Sequence, residues 1–544
     1  MEEFKVAFHF LDWFWTVTYL VLMVGCGLLF YRLGKRSESD FFLAGRGLPW
    51  WLPATSVYAT HTATDTPMWI GGIVYKQGLR GLWYTMFGMW CAISAFVSTR
   101  IFRRSLAMSM AEWQGLRYSG MGAELLRGWL AGWQVFMNMF VLGWVGMAMG
   151  KVCHLVFGWP DWVGLVAFSS VCAIYVLSAG YWGVIMTDFQ QGVIAFLVIL
   201  IVCVWGIMYA GGPSNIIDKL NGMGQGWRMN PFAFTGWTSG DFPILWFITM
   251  LVMAVIGGVG MGNFIDWYPE AQRIQSAATV RDASYAIWGG GFLTLTRNSL
   301  WAVAMLGFFV LNPNITEVST YELGWYKMAF ENLPMGMIGF FFAAVLAIHF
   351  STIASHLNLG ASYFTRDLYH HYVNPQADEK KLVWIGRLAT FILLIGSFFM
   401  GSLMKDITSW LIFALWLQAA GIWLPSILQV VWWRFNSWGY LSSWIANLGI
   451  SWLVVWVFPA FGILPKDMPD YQQFWLLMLL TFLIYIPVTF LTKPDDEDHL
   501  VKYYAMTRPI GWWGPIHRKA VEQGLIKDVV PEAGVAGKPA PEEE

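Results

Sequence analysis

Long apolar runs alternate with short polar connections along the whole chain. We predict about thirteen membrane-spanning helices, because an apolar run of about 20 residues is the length needed to cross a bilayer. One leading helix precedes ten that form a core, and two trailing helices follow. The predicted spans are 11–33, 50–75, 82–98, 127–149, 161–178, 184–209, 243–264, 285–311, 336–364, 383–403, 409–433, 438–461 and 474–491.

The segment 50–75 departs from this pattern. It reads WWLPATSVYATHTATDTPMWIGGIVY and carries Asp65 and His61. A charge at the bilayer centre costs about 2.5–3.5 kcal/mol on insertion scales, so the segment is expected to face protein or a water-filled cavity. Pro67 also removes a backbone donor. We therefore predict a discontinuous helix whose freed carbonyls, in residues 59–62, serve a cation. The alternative is a kinked packing helix whose threonines bond to their own carbonyls.

A second interruption follows five spans later, in the glycine-rich run GGVGMGN at 257–263. Two interrupted segments at matching positions of two five-helix halves indicate a midplane binding site in an inverted-repeat transporter. Small residues that allow close helix packing are the alternative. We predict an all-α polytopic membrane protein with a five-plus-five inverted repeat. Its parts are a leading helix (1–34), a first repeat (48–209), a second repeat (243–434), two trailing helices (438–492) and a cytoplasmic tail (493–544).

Composition agrees with a polytopic membrane protein. Hydrophobic residues make up 57% of the chain and charged residues 12%, whereas soluble domains carry about 25% charged residues. The net charge of −1 gives no bulk attraction to nucleic acid. The five cysteines show no metal-binding spacing. No soluble catalytic domain is recognisable, so we predict no enzymatic activity.

Basic residues set the predicted topology. Arg100, Arg103 and Arg104 follow the second core span, and Arg273 follows the sixth. By the positive-inside rule these loops are cytoplasmic, which places the N-terminus outside. We expect a multi-pass protein of the plasma membrane. The tail from Lys493 is charged and ends in Pro, Gly, Ala and Glu, so it is predicted to be cytoplasmic and partly disordered.

The span 336–364 contains the polar run AIHFSTIASHLN. Helical spacing puts Ser351, Ser355 and Asn358 on one stripe, with Thr352 beside it. Hydroxyl oxygens are hard ligands that suit a hard cation. Hydroxyl bonds between helices are the common alternative and contribute about 0.6 kcal/mol on average.

Three further titratable residues lie in apolar segments. His349 and His356 are seven residues apart and share a helix face; without carboxylates or cysteines at ligand spacing, we interpret them as structural or pathway-lining residues. Asp188 follows Thr187 at the predicted start of the fifth core helix. It is either an N-cap worth about 1 kcal/mol or a carboxylate that handles a cation on its way to the cytoplasm, and the sequence leaves both open.

Four segments together resemble the sodium/solute symporter family, whose members include sodium-coupled sugar, proline, pantothenate and sialic acid transporters. The resemblance covers roughly residues 10–435. The segments occur in the family's order and are FFLAGRGLPWW (41–51), GYWGVIMTDFQQ (180–191), QRIQSAATVRDA (272–283) and STIASHLNLGASYFTRDLY (351–369).

The resemblance implies a sodium site between the first and eighth core helices. Carried over by position, its ligands are the carbonyls of Ala59, Thr62 and Ile348 and the hydroxyls of Ser351 and Thr352. Some members hold a second sodium ion, for which Asp188 and Ser355 fit. Ala354 stands where two-ion members can have serine, so the number of ions stays open.

Solute contacts in the family come from the first, second, sixth, seventh and tenth core helices. The matching positions are Asp65, Thr66, Thr85, Asn263, Thr294 and Gln418. The sugar-transporting pattern is not reproduced, because Thr85 and Thr294 stand near the positions of its glutamate and lysine. Asp65 and Arg297 are instead suited to clamp a zwitterion or a carboxylated solute, since an arginine fork matches a carboxylate.

Together these features predict a secondary active transporter. We expect sodium, as the coupling ion, to drive symport of a small polar solute (an amino acid, carboxylate or sugar) into the cell by alternating access. The expected partners are this solute and the lipid bilayer, with no nucleic acid, and the chain is expected to be a monomer or a weak oligomer. The alternatives are a solute sensor or sodium-leak channel, a proton-coupled symporter using Asp65 or His61, and a membrane-embedded enzyme.

Overall fold

Helices account for the regular structure of this protein in a computed structural model. The structure describes residues 6, 8–30, 43–85, 87–259, 270–404 and 420–527. In these ranges, extended backbone pairing is confined to two single bridges, one between Leu48 and Ala277 and one between Trp432 and Trp512. The predicted all-α class is therefore confirmed.

The helices up to residue 259 are numbered in chain order. They are α1 (Phe10–Phe30), α2 (Trp51–Thr60), α3 (Thr66–Gln77), α4 (Phe87–Phe96), α5 (Ser98–Ser105), α6 (Met110–Arg117), α7 (Gly120–Phe157), α8 (Asp161–Tyr209), α9 (Gly212–Gly222) and α10 (Ile244–Val259). A 3₁₀ segment, Gly78–Thr85, joins α3 to α4.

The numbering continues through the second half. These helices are α11 (Glu270–Ser276), α12 (Val280–Leu311), α13 (Val318–Glu322), α14 (Gly324–Asn332), α15 (Met337–Ser362), α16 (Glu379–Ser402), α17 (Ala420–Val431), α18 (Ser437–Trp452), α19 (Asp470–Leu491), α20 (Glu497–Thr507) and α21 (Gly514–Glu522). π-helical turns extend α15 through Tyr363–Val373.

Seven helical stretches within the described ranges are long and apolar enough to cross a bilayer. They are Gly120–Phe157, Tyr181–Tyr209, Val280–Leu311, Met337–Val373, Glu379–Ser402, Ser437–Ala460 and Asp470–Leu491. One bent pair, Thr66–Phe96 with Ser98–Ser105, and four shorter apolar helices coincide with the remaining predicted spans. The prediction of a membrane-spanning helical protein is confirmed. The count of thirteen spans and the inverted repeat stay predictions.

Helix α8 corrects one sequence interpretation. Its backbone is helical without interruption from Asp161 to Tyr209, a range that contains two predicted spans. Asp188 lies in the interior of this helix, so of the two interpretations that the sequence left open, the N-cap is wrong. The glycines at 180 and 183 do not end the helix, because the cost of about 1 kcal/mol for a helical glycine is small beside tertiary packing.

Of the seven stretches, the one that contains helix α15 is the most deeply buried, because 83% of its 18-residue apolar segment lies inside the protein. It packs against α1, α2, α7, α8 and α16. Asp12 of α1 accepts a hydrogen bond from the Gly339 N–H at 2.7 Å, which places a carboxylate at the positive end of α15. A Cβ atom at Gly339 would lie 2.1 Å from Asp12 Cα, so this approach requires glycine.

The C-terminal helices α20 and α21 fold back onto the ends of earlier helices. Leu500, Tyr503 and Ile516 share a buried apolar cluster with Phe102 and Trp113. Helix α20 therefore packs on α5 and α6. The expected partial disorder of the tail does not apply to these two helices, and residues 528–544 lie outside the described ranges.

A buried arginine joins this C-terminal segment to the body of the protein. The Arg117 guanidinium lies 4.6 Å from the ring centre of Tyr118 and 4.7 Å from that of Trp513. It also donates to three carbonyls at the end of α17 and in the following turn, those of Gln429, Trp432 and Phe435. The guanidinium thus supplies donors to carbonyls that a helix end leaves unpaired.

Candidate functional site

The first core helix is broken where the sequence predicts. Helix α2 ends at Thr60 and α3 begins at Thr66, with residues 61–65 between them, so the predicted discontinuous helix is confirmed. Pro67 lies in the first turn of α3, where its missing N–H costs no helical hydrogen bond. Thr66 Oγ1 accepts from the Ala63 N–H at 3.0 Å and closes the connection.

Helix α15 contacts the end of α2 through a threonine. Thr352 Oγ1 donates to the Thr60 carbonyl at 2.8 Å and lies 3.4 Å from the Ile348 carbonyl oxygen. Ser351 donates to Asp188 Oδ1 at 2.8 Å. Since each hydroxyl turns its proton toward a protein oxygen, its lone pairs remain available to a cation. Thr352 of the predicted sodium site therefore adjoins the break, and the α2 carbonyl that it contacts is that of Thr60. Ser351 contacts Asp188 on α8 instead.

The predicted carbonyl ligand at Ala59 has a protein partner, since it accepts from the Thr62 N–H at 3.0 Å. At Thr62 the side chain is also engaged, because its hydroxyl donates to the Tyr58 carbonyl at 2.6 Å and accepts from Arg297 Nη1. The same nitrogen donates to the His61 carbonyl at 2.7 Å. Arg297, from α12, thus supplies a donor to a carbonyl that becomes unpaired where α2 stops.

Asp188 is fully buried and forms an ion pair with Arg273. Arg273 Nη2 lies 2.9 Å from Asp188 Oδ2, and Ser56 donates to the same oxygen at 2.5 Å. Ser355 Oγ lies 3.4 Å from Oδ2 and accepts from Arg273 at 2.5 Å. The structure therefore brings together Asp188 and Ser355, the residues predicted for a second sodium ion. Arg273 Nη2 donates to both of them.

Arg273 connects four helices at this point. It extends from α11 and donates to Ser56 Oγ at 2.9 Å and to Thr60 Oγ1 at 3.0 Å, both on α2. It also donates to Asp188 on α8 and to Ser355 on α15. The sequence indicated only a basic residue of a cytoplasmic loop, whereas the Arg273 side chain is 0% exposed.

Asp65, at the end of the break, has a carboxylate oxygen that is unpaired within the described part of the chain. The residue is 7% exposed, and its Oδ1 has no hydrogen-bond partner among the described residues. Arg297, the predicted partner across a solute, directs Nε and Nη2 to Asn298 Oδ1 at 3.0 and 2.7 Å. Burial of a carboxylate without donors is unfavourable, so this position is suited to a ligand that brings a donor or a positive charge.

The other predicted solute-binding residues are less informative. The hydroxyls of Thr85 and Thr294 are buried, and each donates to a carbonyl in its own segment, at 2.8 and 2.9 Å. Their contact with a solute stays a prediction. Asn263 and Gln418 lie outside the described residues, as do residues 260–263 of the predicted second break.

Two further side chains hold the break from distant parts of the sequence. His61 Nε2 contacts Oε1 of Glu270, which is 1% exposed and begins α11. Tyr326, on α14, donates to the Thr64 carbonyl at 2.8 Å. The break is thus fixed by side chains from α11, α12, α14 and α15, all of which lie in the second half of the chain.

The two histidines of α15 take part in separate hydrogen bonds. His349 Nδ1 lies 3.2 Å from Thr64 Oγ1, and His356 Nδ1 lies 2.7 Å from Asn138 Oδ1. In the part of the chain that the structure describes, no three His, Cys, Asp or Glu residues are grouped to hold a metal ion. These contacts agree with the structural interpretation of the histidines.

Sequence reasoning missed Arg273, Ser56 and Tyr326. One signal was present for Arg273, because Glu270 and Arg273 are three residues apart and share a face if the segment is helical. From the sequence we interpret the segment as a loop, in which residues three positions apart need not share a face. For Ser56 and Tyr326 the sequence holds no signal, since their partners are more than 100 positions away.

Comparison with known proteins identifies the family. The family model described as "Sodium:solute symporter family" matches residues 41–447. The chain belongs to the sodium:solute symporter family. The resemblance seen in the sequence is thus confirmed, and this symporter-family chain is a membrane-embedded, multi-pass protein of a class that binds small solutes.

The relatives of this symporter-family chain are transporters. It is 23% identical to the sodium/glucose cotransporter of Vibrio parahaemolyticus, over 92% of this chain and 93% of the relative. It is 24% identical to the sodium/pantothenate symporter of Haemophilus influenzae, over 80% and 88%. It is 23% identical to the high-affinity proline transporter PutP of Bacillus subtilis, over 79% and 89%. These relationships support the prediction that the protein is not an enzyme.

A solved structure shares the fold. The substrate-bound, outward-open state of a Na⁺-coupled sialic acid symporter aligns with a TM-score of 0.72, covering 90% of this chain and 100% of that one. The two sequences are 18% identical, so the likeness concerns the fold alone. This likeness therefore does not identify the solute or the ions of the present symporter-family protein.

Proposed function

We propose that this protein is a plasma-membrane symporter that uses the sodium gradient to take up a small organic solute with a cationic nitrogen, such as an amino acid. Membership of the sodium:solute symporter family supports sodium as the coupling ion. The observation that carries the solute class is Asp65, a buried carboxylate in the helix break whose Oδ1 has no partner in the part of the chain that the structure describes.

The proposed sodium position lies between the end of α2 and the middle of α15. The carbonyls of Ala59, Thr62 and Ile348 and the hydroxyls of Ser351 and Thr352 remain the proposed ligands. Thr60 is added to them, because its carbonyl is the one that Thr352 contacts, at 2.8 Å. A cation bound there would draw α2 and α15 together through oxygen ligands, which hard cations prefer.

The proposed solute position adjoins Asp65 at the start of α3. The buried Oδ1 of Asp65, which has no partner among the described residues, attracts an ammonium or similar group that brings a donor. We assign Arg297 to holding the break rather than to the solute, because it already donates to His61 and Asn298.

Coupling follows from the shared break. Sodium bound beside α2 orders residues 61–65, which lowers the cost of binding a solute at Asp65 on the other side of the same break. Each sodium ion that crosses 100 mV gains about 2.3 kcal/mol, and a tenfold concentration gradient adds about 1.4 kcal/mol. One ion thus supports a several-hundredfold solute gradient at ideal coupling.

Thermal unfolding of the purified protein tests both parts of the proposal. Amino acids, betaines, monocarboxylates and sugars are added singly, in sodium or in potassium at equal ionic strength. A ligand that binds the native state raises stability by mass action. We expect stabilisation by a solute with a cationic nitrogen, in sodium and not in potassium. A sugar or a plain carboxylate as the stabilising solute would refute the role of Asp65.

Two substitutions of Thr352 test the proposed sodium position. Thr352→Ala removes the hydroxyl, and we expect the sodium concentration for half-maximal stabilisation to rise about tenfold, the effect of losing about 1.4 kcal/mol. Thr352→Ser keeps the hydroxyl and is the matched control, with an expected change below threefold. Equal effects of the two substitutions, or stabilisation that is the same in potassium, would contradict the proposed sodium site.

A further inference from the structure

Two buried polar atoms lie unpaired at the same end of the helix break. One is Asp65 Oδ1, and the other is Nε2 of His349, a residue of α15 that is 0% exposed. Neither atom has a hydrogen-bond partner among the described residues, so the two are not bonded to each other. His349 meets the break at Thr64, the residue before Asp65, whose hydroxyl oxygen lies 3.2 Å from His349 Nδ1. A carboxylate and an imidazole thus share this end of the break, each with one unpaired atom.

The contact with Thr64 decides what His349 Nε2 can bind. Thr64 is 0% exposed, and its hydroxyl has one hydrogen bond within the described ranges, the bond to His349 Nδ1. An unpaired hydroxyl proton is costly when it is buried, so Thr64 donates its proton to Nδ1. A neutral imidazole that accepts at Nδ1 carries its own proton at Nε2. His349 therefore holds an unpaired N–H donor, whereas Asp65 holds an unpaired acceptor.

The second histidine of α15 differs in this respect. His356 is 1% exposed, and its Nδ1 lies 2.7 Å from Asn138 Oδ1. Unlike His349, it has no buried ring nitrogen that lacks a hydrogen-bond partner within the described part of the chain. Of these two histidines, His349 is thus the one with an atom available to a ligand.

We propose that His349 is a solute-binding residue, whose Nε2–H donates to the carboxylate of a zwitterion while Asp65 pairs with the cationic nitrogen of the same molecule. This inference rests on the proposed function and narrows its solute class to zwitterions, such as an amino acid or a betaine. A zwitterion pairs both atoms at once. An amine without a carboxylate pairs Asp65 alone and leaves the His349 donor buried without a partner, which costs free energy.

The unmodified protein gives the first test. The standard amino acids and glycine betaine are each compared, by thermal unfolding in sodium, with the amine that lacks the carboxylate, such as ethylamine for alanine and tetramethylammonium for glycine betaine. We expect the zwitterion that binds most tightly to bind about tenfold or more tightly than its amine, the effect of one hydrogen bond to a charged group. An amine that binds equally well would overturn the inference while the proposed function stands. If no compound with a cationic nitrogen stabilises the protein, the proposed function itself fails.

Two substitutions of His349 separate the roles of its two nitrogens. Asparagine is short and places its amide near the position of Nδ1, whereas the longer glutamine places an N–H donor near that of Nε2. We expect His349→Asn to weaken binding of the zwitterion about tenfold and binding of the amine by less than about threefold. His349→Gln is expected to keep the affinity for the zwitterion within about threefold. If His349 serves only to hold Thr64, the order of the two variants reverses, and that outcome would overturn the inference.

His356→Asn is the matched control for loss of a buried imidazole from the same helix. It keeps an amide near Asn138, and we expect it to change the ratio of zwitterion to amine affinity by less than about threefold. A change in this ratio as large as that in His349→Asn would assign the effect to the packing of α15 and overturn the inference. If the His349 variants do not fold, the comparison of zwitterion and amine on the unmodified protein decides alone.

Discussion

Two buried aspartates, Asp65 and Asp188, lie in the membrane-spanning part of this protein in opposite circumstances. Asp188 is 0% exposed and accepts from Ser56, Ser351 and Arg273. Asp65 is 7% exposed, and its Oδ1 has no partner among the described residues. Both residues are isolated acids in apolar sequence, so the difference lies in what the fold brings to each of them.

The presence or absence of hydrogen-bond partners distinguishes a charge that serves the structure from a charge that serves binding. A buried charge that has its partners is part of the structure, and removal of one partner leaves the other charge uncompensated. A buried charge without partners costs stability and is retained for what it binds. On this basis Asp188 holds helices together with Arg273, and we propose that Asp65 binds the solute.

The largest expected effect is on stability. Asp188→Ala leaves the Arg273 guanidinium buried without its carboxylate, and we expect a loss of about 3–5 kcal/mol, as measured when other buried pairs are broken. The measurement is thermal unfolding in detergent without added solute. Asp65→Ala is the control and is expected to leave stability unchanged or slightly raised, because Oδ1 has no partner to lose among the described residues. Similar losses in both variants would show that Asp65 also has a structural partner.

The next effect is on solute binding. Asp65→Asn keeps the size of the side chain and removes its charge, so we expect the stabilising solute to bind about ten- to a hundredfold more weakly, equivalent to the 1.5–3 kcal/mol of a charged hydrogen bond. The apparent affinity is measured from solute-dependent thermal shifts at saturating sodium. Asp65→Glu keeps the charge and is expected to retain more of the affinity. Unchanged affinity in Asp65→Asn would remove the basis for a cationic solute.

The sequence was sufficient for the elements that depend on local composition. Apolar runs marked the spans, and Asp65 with Pro67 marked the break between α2 and α3, because charge and proline act on the segment that carries them. The stripe of hydroxyls in α15 was also visible, since helical spacing puts Ser351 and Ser355 on one face.

The sequence was insufficient where the partner is far away along the chain. Nothing near Asp188 indicates that Arg273, 85 positions later, donates to it. The rule that assigns basic loops to the cytoplasm counts charges and does not say whether a side chain folds inward. For the same reason Asp188 was open to an N-cap interpretation, which the continuous helix α8 has now excluded.

The smallest expected effect tests whether charge or backbone shape decides recognition at Asp65. Tyr326 donates to the Thr64 carbonyl at 2.8 Å, one residue before Asp65. Tyr326→Phe removes this bond alone, and we expect a stability loss of about 0.5–1.5 kcal/mol and a change in solute affinity below threefold. Both are measured by thermal unfolding with and without solute. If Tyr326→Phe weakened solute binding as strongly as Asp65→Asn, the conformation of residues 61–65 would govern recognition, and Asp65 would act through the shape of the break rather than through its charge.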